Sequence, residues 1–217
     1  MLSRDNTLRV FDLPAVRERW ALSSAQDTRL VSFSPDGRFL ATAHFKDHKV
    51  AVWQAGTGTP VGQPANHDQS IETMAFSRDG ELVAIGTDGG YVILRQTRSG
   101  KDIARVAHAA AITDLAFSAD GNVLASTSKD GSTRLTDCRS GLEMAQLLHG
   151  STPRRVRFSP DAKYVATETG EGVQIWLWRA RDVVDEACRR VPRDLSVDEW
   201  RLYLGDKSPT ACHVPAR

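Results

Sequence analysis

Hydrophobic and polar residues alternate along this chain in short runs that end at glycine, aspartate or serine. The stretch from His108 to Leu148 shows the pattern: apolar and polar side chains alternate in Ala111–Phe117, and three further short runs follow. A period of two residues predicts half-buried β-strands, and Asp-Gly or Ser-Gly pairs between them favour tight turns. The pattern therefore predicts four strands in this stretch, over 111–117, 123–127, 133–137 and 142–147.

The same pattern recurs along the chain. A Phe-Ser-x-Asp-(Gly/Ala) block begins at Phe33, Phe76, Phe117 and Phe158, at spacings of 43, 41 and 41 residues. Equivalent strands are predicted at 30–33, 39–43 and 50–53, then at 71–76, 82–86 and 91–94, and the fourth unit runs over 156–176. Repeats of about 40–45 residues with four short strands are typical of propeller blades, which gain a core only by stacking. The predicted fold class is all-β, a β-propeller of four-stranded antiparallel blades with a short α-helical C-terminal tail.

These units resemble the WD-repeat β-propeller family over roughly residues 5 to 178. In that family a Gly-His pair precedes the first strand of a unit, and a Trp-Asp pair ends the third strand. The matching histidines lie nine residues before a repeated phenylalanine and are His67, His108 and His149. Trp53 and Trp176 match the Trp of the Trp-Asp pair in the first and fourth units, whereas leucine replaces it in the second and third.

The resemblance also implies structural residues inside each blade. Members of the family often hold a blade together through a hydrogen-bonded chain of His, a turn Asp, a strand Ser or Thr, and Trp. The similar residues are His108, Asp130 and Ser128 in the third unit, His67, Asp88 and Thr87 in the second, and His149, Thr167 and Trp176 in the fourth. No unit has all four members. We expect the blades to be loosened, because a buried donor without a partner costs on the order of 1–3 kcal/mol.

The repeat region begins and ends within a blade. Residues 7–12 read as a third strand and 15–20 as a fourth, whereas the last unit stops after its third strand at Trp176. Open sheet edges favour missing upstream repeats; the alternatives are a small ring closed by the fourth strand of the opening half-blade, and a truncated gene product. We expect a propeller over 1–178, as an incomplete ring or the C-terminal part of a larger one, and a helical tail over 179–217.

The tail carries apolar residues at helical spacing over 179–191, and Ser196 with Glu199 forms a capping box for a second helix. It is similar to the tail that follows the last repeat in many large bacterial WD-repeat proteins, on residues 186–190, 195–200 and 203–206. Such proteins often place an NTPase, kinase or protease-like region upstream. The resemblance implies a sensor or scaffold part of a larger bacterial signalling or effector protein.

Charge and composition exclude several kinds of partner. The chain has 28 basic and 27 acidic residues, and 41% of its residues are hydrophobic. A duplex binder needs a basic stripe, so we expect no nucleic-acid partner. Because no apolar run approaches the ~20 residues of a membrane span and no signal peptide is recognisable, we expect no membrane partner and a cytoplasmic location. Three cysteines without metal spacing argue against a disulfide framework or a zinc site.

The sequence contains no recognisable catalytic constellation. His44 and His48 have metal-like spacing, but they fall on a predicted strand and its turn, where that spacing does not bring both imidazoles to one face. We expect no catalytic residue, no metal and no cofactor, and a chain that is not an enzyme. The alternative is a small propeller hydrolase or lactonase with a site in the central channel.

The predicted function is therefore a non-catalytic protein–protein interaction scaffold or sensor with a protein partner. Rigid blades present variable loops, so contacts with a partner are expected there. The candidate loop residues are Lys46, His48, Arg78 and Tyr91. We expect an oligomer or an intact larger chain to complete the propeller.

Overall fold

The structure, a computed structural model, describes residues 7–13, 15–22 and 27–190. Its strands form five sheets of consecutive strands. The half-blade contains β1 (Leu8–Asp12) and β2 (Arg17–Leu22). Blade 1 contains β3 (Thr28–Phe33), β4 (Phe39–His44), β5 (Lys49–Gln54) and β6 (Pro60–Asn66). Blade 2 contains β7 (Ile71–Phe76), β8 (Leu82–Thr87), β9 (Tyr91–Gln96) and β10 (Asp102–Ala107).

The two remaining sheets follow the same order. Blade 3 contains β11 (Ile112–Phe117), β12 (Val123–Ser128), β13 (Ser132–Asp137) and β14 (Glu143–Leu148). Blade 4 contains β15 (Arg155–Phe158), β16 (Tyr164–Thr169) and β17 (Gly172–Leu177). The first strands β3, β7, β11 and β15 contact one another in sequence order. The predicted fold class is confirmed, with antiparallel four-stranded blades; in the described residues the sheets do not close into a ring.

The second strand of each complete blade is buried on both faces. Val83 and Ile85 of β8 pack with Phe39 and other blade 1 residues, whereas the intervening Ala84 packs with Leu115 and other blade 3 residues. Successive side chains of a strand point to opposite faces, so each blade supplies half of two separate cores. Each second strand therefore begins with an apolar run, such as 82–85 in β8, and its later residues include buried polar side chains, such as Ser126 and Ser128 in β12.

The repeated Phe-Ser-x-Asp block forms the turn between the first and second strands. Its serine hydroxyl donates to the aspartate two residues later, as Ser77 Oγ does to Asp79 Oδ1 at 2.6 Å. The same bond joins Ser34 to Asp36, Ser118 to Asp120 and Ser159 to Asp161. The last residue of the block has a positive φ, 67° at Gly80 and 54° at Ala162. Glycine suits this left-handed position, and blade 4 holds an alanine there instead.

Two compact units divide the chain, Met1–Ile175 and Trp176–Arg217. The second unit contains helix α1 (Ala180–Arg190), where the sequence predicts its first helix. Asp182 in the first turn is placed favourably for the helix dipole. The predicted second helix lies outside the described residues, and the domain boundary after residue 178 stays a prediction. No described helix is long and apolar enough to span a membrane.

Candidate functional site

The most complete polar network lies where the link from blade 2 enters blade 3. The side chain of His108 is fully buried; its Nδ1 lies 3.2 Å from Asp130 Oδ2, and its Nε2 lies 2.8 Å from Ser126 Oγ. Asp130 also accepts hydrogen bonds from the Ser132 hydroxyl at 2.7 Å and from the backbone N–H of Ala109 at 3.0 Å. This network ties the link between blades to the turn between β12 and β13.

The network shifts the pKa values of its two titratable members. Burial acts to raise the pKa of Asp130, but hydrogen bonds from Ser132 and from the N–H of Ala109 outweigh it and lower the pKa to about 2. Burial lowers the pKa of His108, which the charge of Asp130 only partly opposes. At neutral pH the pair is therefore a carboxylate and a neutral imidazole, which suits a structural role.

The strand serine of this network is Ser126, whereas the sequence indicated Ser128. Ser128 Oγ instead donates to the backbone oxygen of Ala110 at 2.7 Å. Both serines lie on β12, so their side chains leave the same face of the strand, two residues apart. Of these two serines, Ser126 is the one whose hydroxyl is within hydrogen-bond distance of the His108 ring.

Blade 2 lacks the partners that blade 3 provides for its histidine. Its register makes Ile85 the equivalent of Ser126, since Ile85 lies opposite Met74 as Ser126 lies opposite Leu115. Isoleucine offers no hydroxyl, and His67 Nε2 is buried without a hydrogen-bond partner. Burial, followed by the charge of Arg95, lowers the pKa of His67, so this imidazole is also neutral at pH 7.

The expected role of Asp88 is corrected by the same register. Position 89, a glycine, is the equivalent of Asp130, and Asp88 is exposed one residue earlier. A Cβ atom at Gly89 would lie 2.0 Å from the side-chain amide atoms of Gln69. Gln69 fills the space that the turn aspartate occupies in blade 3, and its Oε1 accepts a hydrogen bond from the Thr87 hydroxyl at 3.1 Å.

Blades 1 and 4 hold their polar residues differently. In blade 1 the indole Nε1 of Trp53 donates to Thr42 Oγ1 at 3.0 Å. In blade 4 His149 Nε2 lies 2.8 Å from Thr133 Oγ1 of the preceding blade, and its Nδ1 lies 2.8 Å from Gln174 Oε1. His149 thus joins two blades.

A cavity of about 160 Å³ opens beside His67, where the link from blade 1 enters blade 2; we call it the rim cavity. Its lining includes the link residues Asp68 and Gln69 and the blade 2 residues Tyr91, Arg95 and Arg105. The Arg105 guanidinium lies 3.8 Å from the centre of the Tyr91 ring. Arg95 Nε is paired with Asp102 Oδ1 at 2.6 Å. The sequence indicated Tyr91 as a contact residue, but it gave no sign of this cavity.

The four candidate loop residues do not form one surface. Lys46 and His48 lie in the turn between β4 and β5, and Tyr91 begins β9 after the equivalent turn of blade 2. Arg78 lies between β7 and β8, at the opposite end of the antiparallel strands. Lys46 forms an exposed ion pair with Asp27 at 3.2 Å. A role in partner binding stays a prediction for all four.

The described residues offer no group of three or more His, Cys, Asp or Glu that could hold a metal ion. Cys138 is buried in the core between blades 2 and 3, and burial raises the pKa of its thiol to about 12. The thiol is therefore protonated at neutral pH and is a poor nucleophile, so Cys138 is a core residue.

We expect stability to fall as the pH drops below about 6.5. Burial lowers the pKa values of His67 and His108 in the folded state, so the unfolded chain binds more protons at mildly acidic pH and is favoured there. The carboxylates with lowered pKa values change protonation only near and below pH 4, so they do not contribute to the loss of stability that the histidines cause above pH 5. Urea midpoints measured between pH 7.5 and 5 will test this, and a midpoint that does not change over that range would contradict it.

Three consecutive segments of the chain, 20–54, 58–94 and 100–137, match the family model described as WD domain, G-beta repeat. Together they cover about half of the chain and include most of blades 1 to 3, with β14 of blade 3 outside them. No curated protein matches the chain.

Proposed function

Because this chain belongs to the WD-repeat family, whose repeats generally form protein-interaction scaffolds, we propose that it is a non-catalytic scaffold or sensor module. We further propose that it acts in the cytoplasm as the C-terminal part of a larger bacterial signalling or effector protein, over a propeller of residues 1–178 and a helical tail of 179–217. The similarity of the tail to those of large bacterial WD-repeat proteins supports this assignment.

The observation that carries the proposal is an exposed apolar face on blade 1. Phe33 is 53% exposed and Val31 is 39% exposed. Phe76, the equivalent of Phe33 in blade 2, is 6% exposed, and Leu115, the equivalent of Val31 in blade 3, is 4% exposed. Phe76 and Leu115 are each covered by the preceding blade. In the part of the chain that the structure describes, the half-blade before blade 1 supplies β1 and β2, which correspond to a third and a fourth strand. The exposed face therefore fits the first two strands of a further blade.

Together with the half-blade, this face forms a cavity of about 300 Å³ with an almost wholly apolar lining. Leu8, Val10 and Leu40 form its floor, and Phe33 lines it as well. Burying such a surface is favourable by about 25 cal/mol for each Å² removed from water. We expect the intact protein to cover this cavity with strands from an upstream blade.

Site-specific photo-crosslinking in the endogenous protein tests the proposal. A benzoylphenylalanine in place of Phe33 should form a crosslink to an upstream segment of the same polypeptide, and the intact mass should exceed the 23.8 kDa of this chain. The control is the same photoreactive residue in place of Leu148, which is 71% exposed on an outer strand. An intact mass of 23.8 kDa with no crosslink from position 33 would refute the proposal.

The hydrolase or lactonase alternative needs an acid, base and nucleophile, or a metal, that converge on one site. The described residues present no cluster of metal-ligand type, and the strongly shifted pKa values belong to Asp130 in a hydrogen-bonded turn and to Cys138 in a core. No observation in that part of the chain favours the alternative.

A further inference from the structure

We propose that the rim cavity of blade 2 is a binding site for a carboxylate, supplied by an acidic side chain of a partner protein. The supply by a partner rests on the proposed scaffold function, whereas the carboxylate chemistry rests on the cavity itself. His67 and Arg105 are the two groups that would contact the carboxylate. Asp68 is the group that limits its affinity.

The first argument is the buried ring nitrogen of His67. Its Nε2 has no hydrogen-bond partner, whereas the equivalent nitrogen of His108 has Ser126 Oγ at 2.8 Å. A buried polar atom without a partner is destabilising. His67 lines the cavity, so a carboxylate that enters it and displaces the side chain covering Nε2 would supply the missing hydrogen bond. A neutral imidazole carries one N–H, which Nε2 can present to an acceptor oxygen.

The second argument is the availability of Arg105. Arg95 is engaged by Asp102 at 2.6 Å and is only 15% exposed, so its charge is already matched. No ion pair joins Arg105 to any described residue, and its guanidinium is held over the Tyr91 ring at 3.8 Å. An arginine stacked on an aromatic ring keeps its N–H edge free and fixed, which suits the two oxygens of a carboxylate.

The third argument is the size of the cavity. Its volume of about 160 Å³ is smaller than the roughly 300–1,000 Å³ typical of small-molecule sites. A single carboxylate-bearing side chain is of suitable size, and the opening at the rim leaves room for the rest of a peptide. This favours a glutamate or aspartate of a partner protein over a free metabolite.

The charges around the cavity set the limits of the proposal. Arg95, Arg105, Asp68 and Asp102 line it together with His67, so its fixed charges balance. Asp102 is neutralised by Arg95, which leaves Asp68 as the carboxylate that would repel an incoming anion. Removal of that charge in Asp68→Asn is therefore expected to strengthen binding, opposite in sign to the loss of Arg105.

The test is an NMR titration of the full chain that follows the His67 imidazole ¹⁵N resonances. The probes are a capped Gly-Glu-Gly peptide, its Gly-Gln-Gly analogue, and acetate. We expect the glutamate peptide alone among the two peptides to shift these resonances saturably. Arg105→Gln should weaken its binding by roughly tenfold or more, the equivalent of about 1.4 kcal/mol, because a charge-assisted hydrogen bond is lost. Asp68→Asn should tighten binding.

Arg139→Gln is the matched control, because Arg139 is an exposed arginine in the turn between β13 and β14, outside the lining of the cavity, and should leave binding unchanged. Equal responses to the glutamate and glutamine peptides, or an Arg105→Gln variant that is folded and binds as tightly as the native chain, would overturn the carboxylate site. Acetate binding as tight as that of the peptide would overturn the partner side chain as its source. A failed titration beside the expected crosslink from position 33 would remove this site and leave the proposed function standing.

Discussion

Replacement of Phe76 by alanine is expected to lower the free energy of unfolding by about 3–5 kcal/mol. Phe76 ends the first strand of blade 2 and is 6% exposed in the core between blades 1 and 2. Its neighbours there, among them Phe39, Val52 and Val83, lie on two different sheets. The truncation would remove the ring and leave a cavity that neither sheet can close alone, since each is fixed by its own strand pairing.

Urea unfolding followed by tryptophan fluorescence will measure this loss, and Phe33→Ala is its matched control. Phe33 occupies the same position of the repeat but is 53% exposed, so its truncation in this chain should cost less than about 1 kcal/mol. Equal losses at the two positions would show that Phe76 does not join the blades as described. The same pair measured in a longer polypeptide with an upstream blade should lose its contrast, because Phe33 would then be buried.

Local chemistry in this chain was sufficient to predict the strands. The strand over 71–76 agrees with β7 at both ends, and the strand over 133–137 differs from β13 by one residue. Turn residues determine these boundaries: Asp79 and Gly80 must follow Ser77 closely for the Ser–Asp hydrogen bond and the positive φ to form. The ends of strands therefore follow from a few short-range contacts.

The polar networks depend on register, and residue type alone placed them imprecisely. Ser128 and Asp88 were chosen because they are the expected residue types in the expected neighbourhood, but the hydrogen bonds form at Ser126 and, in blade 2, at Gln69. A strict 41-residue offset from Asp130 leads to Gly89, so the sequence did contain the signal. Ser128 lies on the same face of β12 as Ser126 but two residues further along, and Asp88 lies one residue from the equivalent turn position, so small errors in register are enough to miss the hydrogen bonds.

The rim cavity and the exposed face of blade 1 could not be read from the sequence. The cavity is lined by residues that are far apart in the sequence, among them His67, Tyr91 and Arg105, and they come together only when blade 2 folds. Phe33 and Phe76 are the same residue in the same motif, and they differ only in what precedes their blade. Burial in a repeat protein is a property of neighbouring repeats, which a single motif does not encode.

Removal of the Asp130 carboxylate is expected to be the most damaging polar change in blade 3. Asp130→Ala would leave the N–H groups of Ala109 and Ser132 without an acceptor and would remove the carboxylate beside His108. The hydroxyls of Ser126 and Ser132 would remain beside the two ring nitrogens. Hydrogen bonds to a charged group are worth about 1.5–3 kcal/mol each, and water can enter to recover part of this loss. We expect the free energy of unfolding to fall by roughly 3 kcal/mol at pH 7.

Asp88→Ala is the matched control, since Asp88 is an exposed carboxylate in the equivalent turn of blade 2 and its loss should change stability by less than about 0.5 kcal/mol. The contrast between the two variants has a definite pH dependence. The lowered pKa of Asp130, about 2 against an ordinary 3.8, means that its ionised form contributes fully above pH 4 and that the contribution is lost as the pH falls through 2. Its own titration therefore adds no pH dependence to the loss in Asp130→Ala between pH 7 and about 5. Removal of its charge also lowers the pKa of His108 further, so any change in the loss over this range should be an increase as the pH falls. If instead the two variants lose the same stability at pH 7, the histidine network does not hold blade 3.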